Sequence, residues 1–304
     1  MISPGPGPLT GPARFVSERM AFEKIAILGG GLLGGSLAMR LQGTAEVKLW
    51  ARRSETVVEA RAMGVGGATE DMREAVEGAD LIVLSVPVGA MPGVVSAALD
   101  GGLNSGALVT DVGSVKGMVH RKVPPLLAER GCRFIGSHPM AGGERQGMGA
   151  ASVDLFEGAM CLLTDDEEVG APWTVELEAF WRSIGCRICW LDAAAHDGLV
   201  ARISHLPHVM AAATARVALA EPTEARFGGG GLRDTTRVAG GDAGMWTEIL
   251  HENREEVIRR VREARDFLGE MLASLEADDH ETTRRWLVEA SRLHELGRAA
   301  RNHE

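Results

Sequence analysis

The chain has 304 residues, 32 lysines and arginines against 42 aspartates and glutamates, a formal charge of −10 and 45% hydrophobic residues. That length fits two domains, each able to bury a core, and the acidic balance argues against nucleic acid or an anionic membrane as a partner, since both need a basic footprint. An anionic substrate must therefore be met by a local basic pocket.

Residues 1–20, with Pro4, Pro6, Pro8 and Pro12 among glycines, read as a disordered leader. They lack a basic start followed by an apolar stretch, and no later run approaches the roughly 18 apolar residues of a membrane helix, so the expected location is the cytoplasm. The cysteines at 132, 161, 186 and 189 are too scattered for a disulfide framework. Cys186 and Cys189 form a C-x-x-C inside a strand-like run, which favours small buried side chains over a redox or metal pair.

Lys24-Ile25-Ala26-Ile27-Leu28 is a short apolar run ending in glycines, and Leu32 to Leu41 has helical spacing: strand, tight turn, helix. A second strand at Val47 to Trp50, a helix at Thr56 to Met63 and a strand at Asp80 to Val86 stopped by Pro87 follow. Helical residues around Met91 to Leu99 lead to a strand at Ala107 to Asp111, with another at Arg133 to Gly136. Continuous apolar strands alternating with helices predict a parallel, doubly wound α/β sheet covered on both faces. Met160 to Thr164 and Cys186 to Leu191, with a helix at Trp173 to Ile184 between them, are expected to finish that sheet and close a dinucleotide-binding domain, 21–192. From Ala193 the strand signals vanish. Asp197 to Ala220 and Trp246 to Leu275 read as long helices joined by a glycine-rich segment at Phe227 to Gly244, and Asp278 to Leu296 ends an all-helical domain, 193–304.

Gly29-Gly30-Gly31-Leu32-Leu33-Gly34 satisfies G-x-G-x-x-G between a predicted strand and a predicted helix, where a pyrophosphate can rest on backbone N–H groups. Gly29, Gly31, Leu32, Leu33 and Gly34 are accordingly candidate cofactor contacts, joined by Ser85, Val86 and Pro87 at the end of the later strand. The second strand normally ends in an acid for the ribose 2′-hydroxyl, but the chain reads Trp50-Ala51-Arg52-Arg53-Ser54. Arg52 and Arg53 suit a 2′-phosphate, which favours NADP over NAD; the bland alternative is solvated surface charge.

Ser114 follows a strand's carboxyl end in Asp111-Val112-Gly113-Ser114-Val115-Lys116-Gly117, as a helix N-cap, a site hydroxyl or both. His138, in Gly136-Ser137-His138-Pro139-Met140-Ala141-Gly142-Gly143, sits among small residues near the cofactor site with an unperturbed pKa near working pH. It is the first candidate for acid/base work, and redox chemistry on a small polar substrate is the expected activity. Ser204 and His208 stand at i and i+4 on one predicted helix face. His205 and His208 could pair on a metal, but no third ligand stands nearby, so no metal is expected. Arg233 and Arg237, after four glycines, are candidates for the basic pocket or for ordinary surface charge.

The five motifs Gly29-x-Gly31-x-x-Gly34, Asp111 to Lys116, Gly136 to Gly142, Ser204 to His208 and Arg233 to Arg237, in this order between about Lys24 and about Leu296, resemble the prephenate/arogenate dehydrogenase family of tyrosine biosynthesis. The resemblance implies an N-terminal Rossmann-type domain, a helical C-terminal domain that forms a homodimer, and an active site between them. It implies that His138 takes the proton of the substrate's ring hydroxyl with Ser114 orienting both partners, that Arg237 binds a substrate carboxylate, and that His208 and Ser204 line the pocket. Glu144 would lie at the pocket mouth and Trp246 beside the substrate. Hydride and CO2 would leave the ring as it becomes aromatic. The chain departs from the pattern at Ala51, which puts NAD in doubt, and the C-terminal regulatory domain of some members is not expected. A two-domain dehydrogenase of the β-hydroxy acid or imine-reducing type, or a non-enzymatic NADP sensor, would share the glycine loop. Prephenate and arogenate are not separated by these residues.

Overall fold

The structure is a computed structural model that describes residues 22–143 and 145–302, with side chains to residue 300. The expected leader, 1–20, and Glu144 lie outside the described residues. Strands β1 (Lys24–Leu28), β2 (Glu46–Trp50), β3 (Ala68–Thr69), β4 (Leu81–Leu84), β5 (Leu108–Asp111) and β6 (Arg133–Phe134) form one parallel sheet in the order β3-β2-β1-β4-β5-β6. β4 and β5 are buried at every residue and β1 at all but its first, as central strands covered on both faces must be, whereas β2, one place from the edge, alternates. One face packs on the helices Leu32–Arg40, Ser54–Ala62 and Trp173–Ser183, the other on Met91–Asp100, Gly117–Lys122 and Pro124–Ala128. The order of strands reverses between β1 and β4, and their carboxyl ends open the crevice where such sheets take ligands.

The sequence expectation fails at the end of this domain. β7 (Gly136–Pro139), β8 (Met160–Thr164) and β9 (Arg187–Leu191) do not finish the parallel sheet; they form a separate three-stranded sheet in which β7 runs antiparallel to β8. The chain switches sheets at Gly136, where an added Cβ would stand 2.4 Å from Thr164 Oγ1 and 2.9 Å from Lys116 Cδ. Trp181, fully buried, donates its indole N–H to Ser137 Oγ at 2.9 Å, and that hydroxyl pairs with Thr110 Oγ1 at 2.7 Å, which fixes the small sheet beneath β5.

After β9 the described residues form only helices and their connections, beginning with Ala193–Val200, capped by Asp192 Oδ1 on the N–H of Ala195. The expected continuous helix from Asp197 is interrupted: Ala201–His205 is a π turn, and the α-helix resumes at Leu206–Ala218. Pro207 explains the break, because it lacks an N–H and its ring crowds the carbonyl four residues back. The segment read as a glycine-rich linker contains the helix Gly230–Thr236, and the next long helix divides at Asn253 into Ala243–Glu252 and Arg254–Glu276. His280–Asn302 ends the described chain.

Candidate active site between the sheet and the helical domain

The glycine turn leaves β1 at Gly29, whose φ of 128° is open to glycine and whose added Cβ would lie 2.1 Å from the Ser85 carbonyl oxygen. The turn is held by Gly29 N–H donating to the Trp50 carbonyl and Ser85 N–H to the Leu28 carbonyl, at 2.9 and 2.8 Å. Gly34 brings the helix Leu32–Arg40 against the Gly29 carbonyl, while no atom of the described residues lies within 4 Å of where a Cβ on Gly31 would stand. No side chain among the described residues caps that helix. Its first N–H groups, those of Leu32 and Leu33 among them, have no intrahelical acceptor, as at any helix start, and it is such groups that take an anion. Ser85 and Val86 are half-buried at the end of β4 and Pro87 is exposed. Ala51 is buried, whereas Arg52 and Arg53 are exposed at the end of β2 with no acidic partner among the described residues.

The second half of the site is a buried polar network. Lys116, wholly enclosed, donates from Nζ to Asp111 Oδ2 at 2.5 Å and to the Gly113 carbonyl at 2.9 Å. The Asp111 carboxylate also accepts from the N–H groups of Gly113 and Ser137, at 2.8 and 3.1 Å. One carboxylate therefore ties the turn that carries Ser114 to the strand that carries His138. Ser114 is half-buried and is not the cap of the helix Gly117–Lys122, which starts three residues later. The cap comes from the helical domain: Asp197 accepts from the N–H groups of Lys116 and Gly117 at 2.8 and 2.9 Å.

Asp197 Oδ1 also takes the Nδ1–H of His196 at 2.8 Å, and His196 Nε2 lies 2.9 Å from His138 Nδ1. Asn253 donates to the Asp197 carbonyl at 2.9 Å and stands 3.2 Å from His205 Nδ1. Burial, then the neighbouring His196, Lys116 and His205, hold His138 well below the usual histidine pKa. His196 is also lowered by burial, against the pull of Asp197, and burial takes His205 down to about 4. Burial alone would raise Asp197, but the hydrogen bonds from His196, Lys116 and Gly117 outweigh it and leave the carboxyl below its ordinary value. The resting site is thus a carboxylate with neutral histidines.

His208 stacks flat on Trp246, centroids 3.6 Å apart and planes 9° from parallel. An added Cβ on Gly241 would meet both rings, so the segment that carries Arg237 closes against this stack. Ser204 is half-buried in the π turn. Arg237 is exposed, and so is Arg233, whose Nε pairs with Asp234 at 3.3 Å. Glu248, from the helix of Trp246, accepts from Gly89 N–H just after β4 and so bridges the helical domain to the cofactor crevice. Sequence reasoning quoted Asp111 and Lys116 only as parts of a motif, without a role, and missed His196, Asp197 and Asn253. A His-Asp pair just inside a capped helix at the domain junction was the available signal. Cys132, Cys161 and Cys186 are buried and all four cysteines are free thiols, with burial pushing Cys186 up to about 11.

A doubly wound sheet with a glycine turn at its switch point, closed by helices that deliver a His-Asp pair to a strand-borne histidine, defines a two-domain nucleotide-dependent oxidoreductase. Residues 36–190 match the family model "Prephenate dehydrogenase, nucleotide-binding domain" and residues 192–289 match "Prephenate dehydrogenase, dimerization domain". The chain belongs to the prephenate dehydrogenase family. It is 34% identical over 241 residues to the cyclohexadienyl dehydrogenase of Zymomonas mobilis, covering 76% of this chain and 81% of that one. The crystal structure of A. aeolicus prephenate dehydrogenase in complex with hydroxyphenyl propionate and NAD+ superposes with a TM-score of 0.82 at 26% identity, covering 93% of this chain and 99% of that one. Synechocystis arogenate dehydrogenase superposes with a TM-score of 0.73 at 27% identity, covering 90% of this chain and 99% of that one.

Proposed function

We propose that the chain oxidatively decarboxylates prephenate or arogenate, with His138 as the base and NADP as the preferred hydride acceptor. Residues 21–192 serve as the dinucleotide-binding domain and residues 193–304 as the substrate and dimerisation domain. The observation that carries this reading is His138 itself: a buried, neutral histidine on β7, one residue from the Ser137 N–H that Asp111 at the end of β5 accepts, with Nδ1 bonded to His196 and Nε2 without a hydrogen bond among the described residues.

The bound nicotinamide would supply a two-electron acceptor for hydride. Gly29, Gly31, Leu32, Leu33 and Gly34 would hold its pyrophosphate, and Ser85, Val86 and Pro87 would flank it at the switch point. Arg52 and Arg53 would meet a 2′-phosphate as a planar, bidentate pair of cations. His138 Nε2 withdraws the ring hydroxyl proton, which pushes electrons into the ring and makes hydride departure favourable. The carbonyl so formed is the electron sink that lets the ring carboxylate leave as CO2. Ser114 orients the hydroxyl. Trp246, stacked on His208, and Ser204 wall the pocket, with Glu144 assigned to its mouth. Arg237, with Arg233 second, supplies the cation a dianion needs in a chain of charge −10. The tasks left to the protein are alignment, charge complementarity and one proton transfer.

The homodimer is assigned to the helices Arg254–Glu276 and His280–Asn302, which expose Phe267, Leu268, Leu272 and Leu275 and Leu287, Val288, Leu293 and Leu296. Steady-state assays with prephenate and arogenate, each with NADP and NAD, test the activity. His138→Asn should keep cofactor binding and lose roughly 10² to 10⁴ in turnover; a folded variant with wild-type turnover removes His138 from the reaction.

A further inference from the structure

The polar chain behind His138 has a direction, and the direction is set at its far end. Asp197 is an acceptor at both oxygens, engaged by the N–H groups of Lys116 and Gly117 and by His196 Nδ1. A carboxylate cannot donate, so His196 must carry its proton on Nδ1. A neutral imidazole with Nδ1–H has only a lone pair on Nε2, and that lone pair faces His138 Nδ1 at 2.9 Å. His138 must then be the donor of this bond, with its own proton on Nδ1. Its Nε2 is left as the bare lone pair.

We propose that His196 and Asp197 are positioning residues that hold His138 in the Nδ1–H tautomer and so aim the basic Nε2 at the substrate; this rests on the reading of His138 as the base. The pair touches neither cofactor nor substrate in this account. It acts through His138, as the orienting third group behind an acid/base histidine does in unrelated enzymes. The same carboxylate caps the turn of Lys116, and Asn253 holds the Asp197 carbonyl, so docking of the helical domain and selection of the tautomer are one event. His138 alone, with the helical domain undocked, has no such preference imposed on it. Among the described residues, the charged and titratable groups that act on it are His196, Lys116 and His205. None of them except His196 is bonded to its ring.

The test is made on the full chain saturated with NADP, labelled with 15N at histidine. Long-range 1H–15N correlation separates Nδ1–H from Nε2–H rings directly. The wild type should show His138 as Nδ1–H. In His196→Ala that assignment should be lost and kcat should fall about 10- to 100-fold with KM unchanged, the effect of removing one partner of a buried hydrogen bond. His196→Gln, whose amide can accept from His138 and donate to Asp197, should restore most of both. A wild-type His138 in the Nε2–H form overturns the proposal, as does any folded variant in which tautomer and kcat do not change together. Should His196→Ala fail to fold, the wild-type spectrum and the glutamine variant decide. The tautomer is read without turnover, so a wild type that shows Nδ1–H yet turns over neither prephenate nor arogenate refutes the assigned reaction and leaves the orienting pair standing.

Discussion

Gly31 and Gly34 belong to the same hexapeptide, yet the structure gives them opposite reasons to be glycine. At Gly34 an added Cβ would stand 1.9 Å from the Gly29 carbonyl oxygen and 2.8 Å from Ser85 Oγ. Backbone must then retreat by about 1 Å in a close-packed core, and overpacking of this kind costs about 1 to 3 kcal/mol or more. Gly34→Ala should therefore lower the thermal midpoint by several degrees, roughly 2 to 4 °C for each kcal/mol. At Gly31 nothing among the described residues lies within 4 Å and the backbone has an ordinary extended conformation, φ −84° and ψ −166°. Gly31→Ala should leave stability within about 0.5 kcal/mol of wild type. Its methyl group, however, would occupy the space assigned to the pyrophosphate. Displacing the phosphates from one charge-assisted N–H bond, worth about 1.5 to 3 kcal/mol, raises the Kd for NADP by about 10- to 150-fold. Thermal unfolding and cofactor titration by fluorescence measure both variants. A Gly31→Ala protein that binds NADP as the wild type does refutes the cradle, and a Gly34→Ala protein of undiminished stability refutes the contact.

Burial holds the pKa of His138, the proposed base, well below the usual 6.5, so activity that needs it neutral should be lost only as pH falls through that lowered value. The acid limb of kcat/KM, which reports the free enzyme, should lie below pH 6.5, and a limb at or above it would be inconsistent with the buried site. Ala51→Asp with Arg52→Ile should shift preference from NADP toward NAD, measured as the ratio of kcat/KM values; a wild type that already prefers NAD makes Arg52 and Arg53 surface charge. Arg237→Gln should reduce kcat/KM about 10- to 150-fold, chiefly through KM, with partial rescue by lysine. Unchanged kinetics would move the carboxylate anchor to Arg233.

The central strands, the glycine turn and the divide between sheet and helices were legible in the sequence, because each depends on local order. Central parallel strands are buried on both faces and read as unbroken apolar runs, and a strand-turn-helix cradle needs its glycines at fixed spacing. His138 could be singled out for a related reason: small residues on either side are a local property. What pairs with what is not local. β8 and β9 have the same apolar pattern whether they extend the large sheet or build a second one, since periodicity encodes burial and not the partner. Arg237 could be named, but the contact of its segment with the Trp246–His208 stack, made through Gly241, comes from the fold. The network behind His138 joins residues 58 and 81 positions apart. Its direction exists only once Asp197 meets the N–H groups of another domain, because a proton's position on imidazole is decided by the hydrogen-bond partner that tertiary structure brings to it.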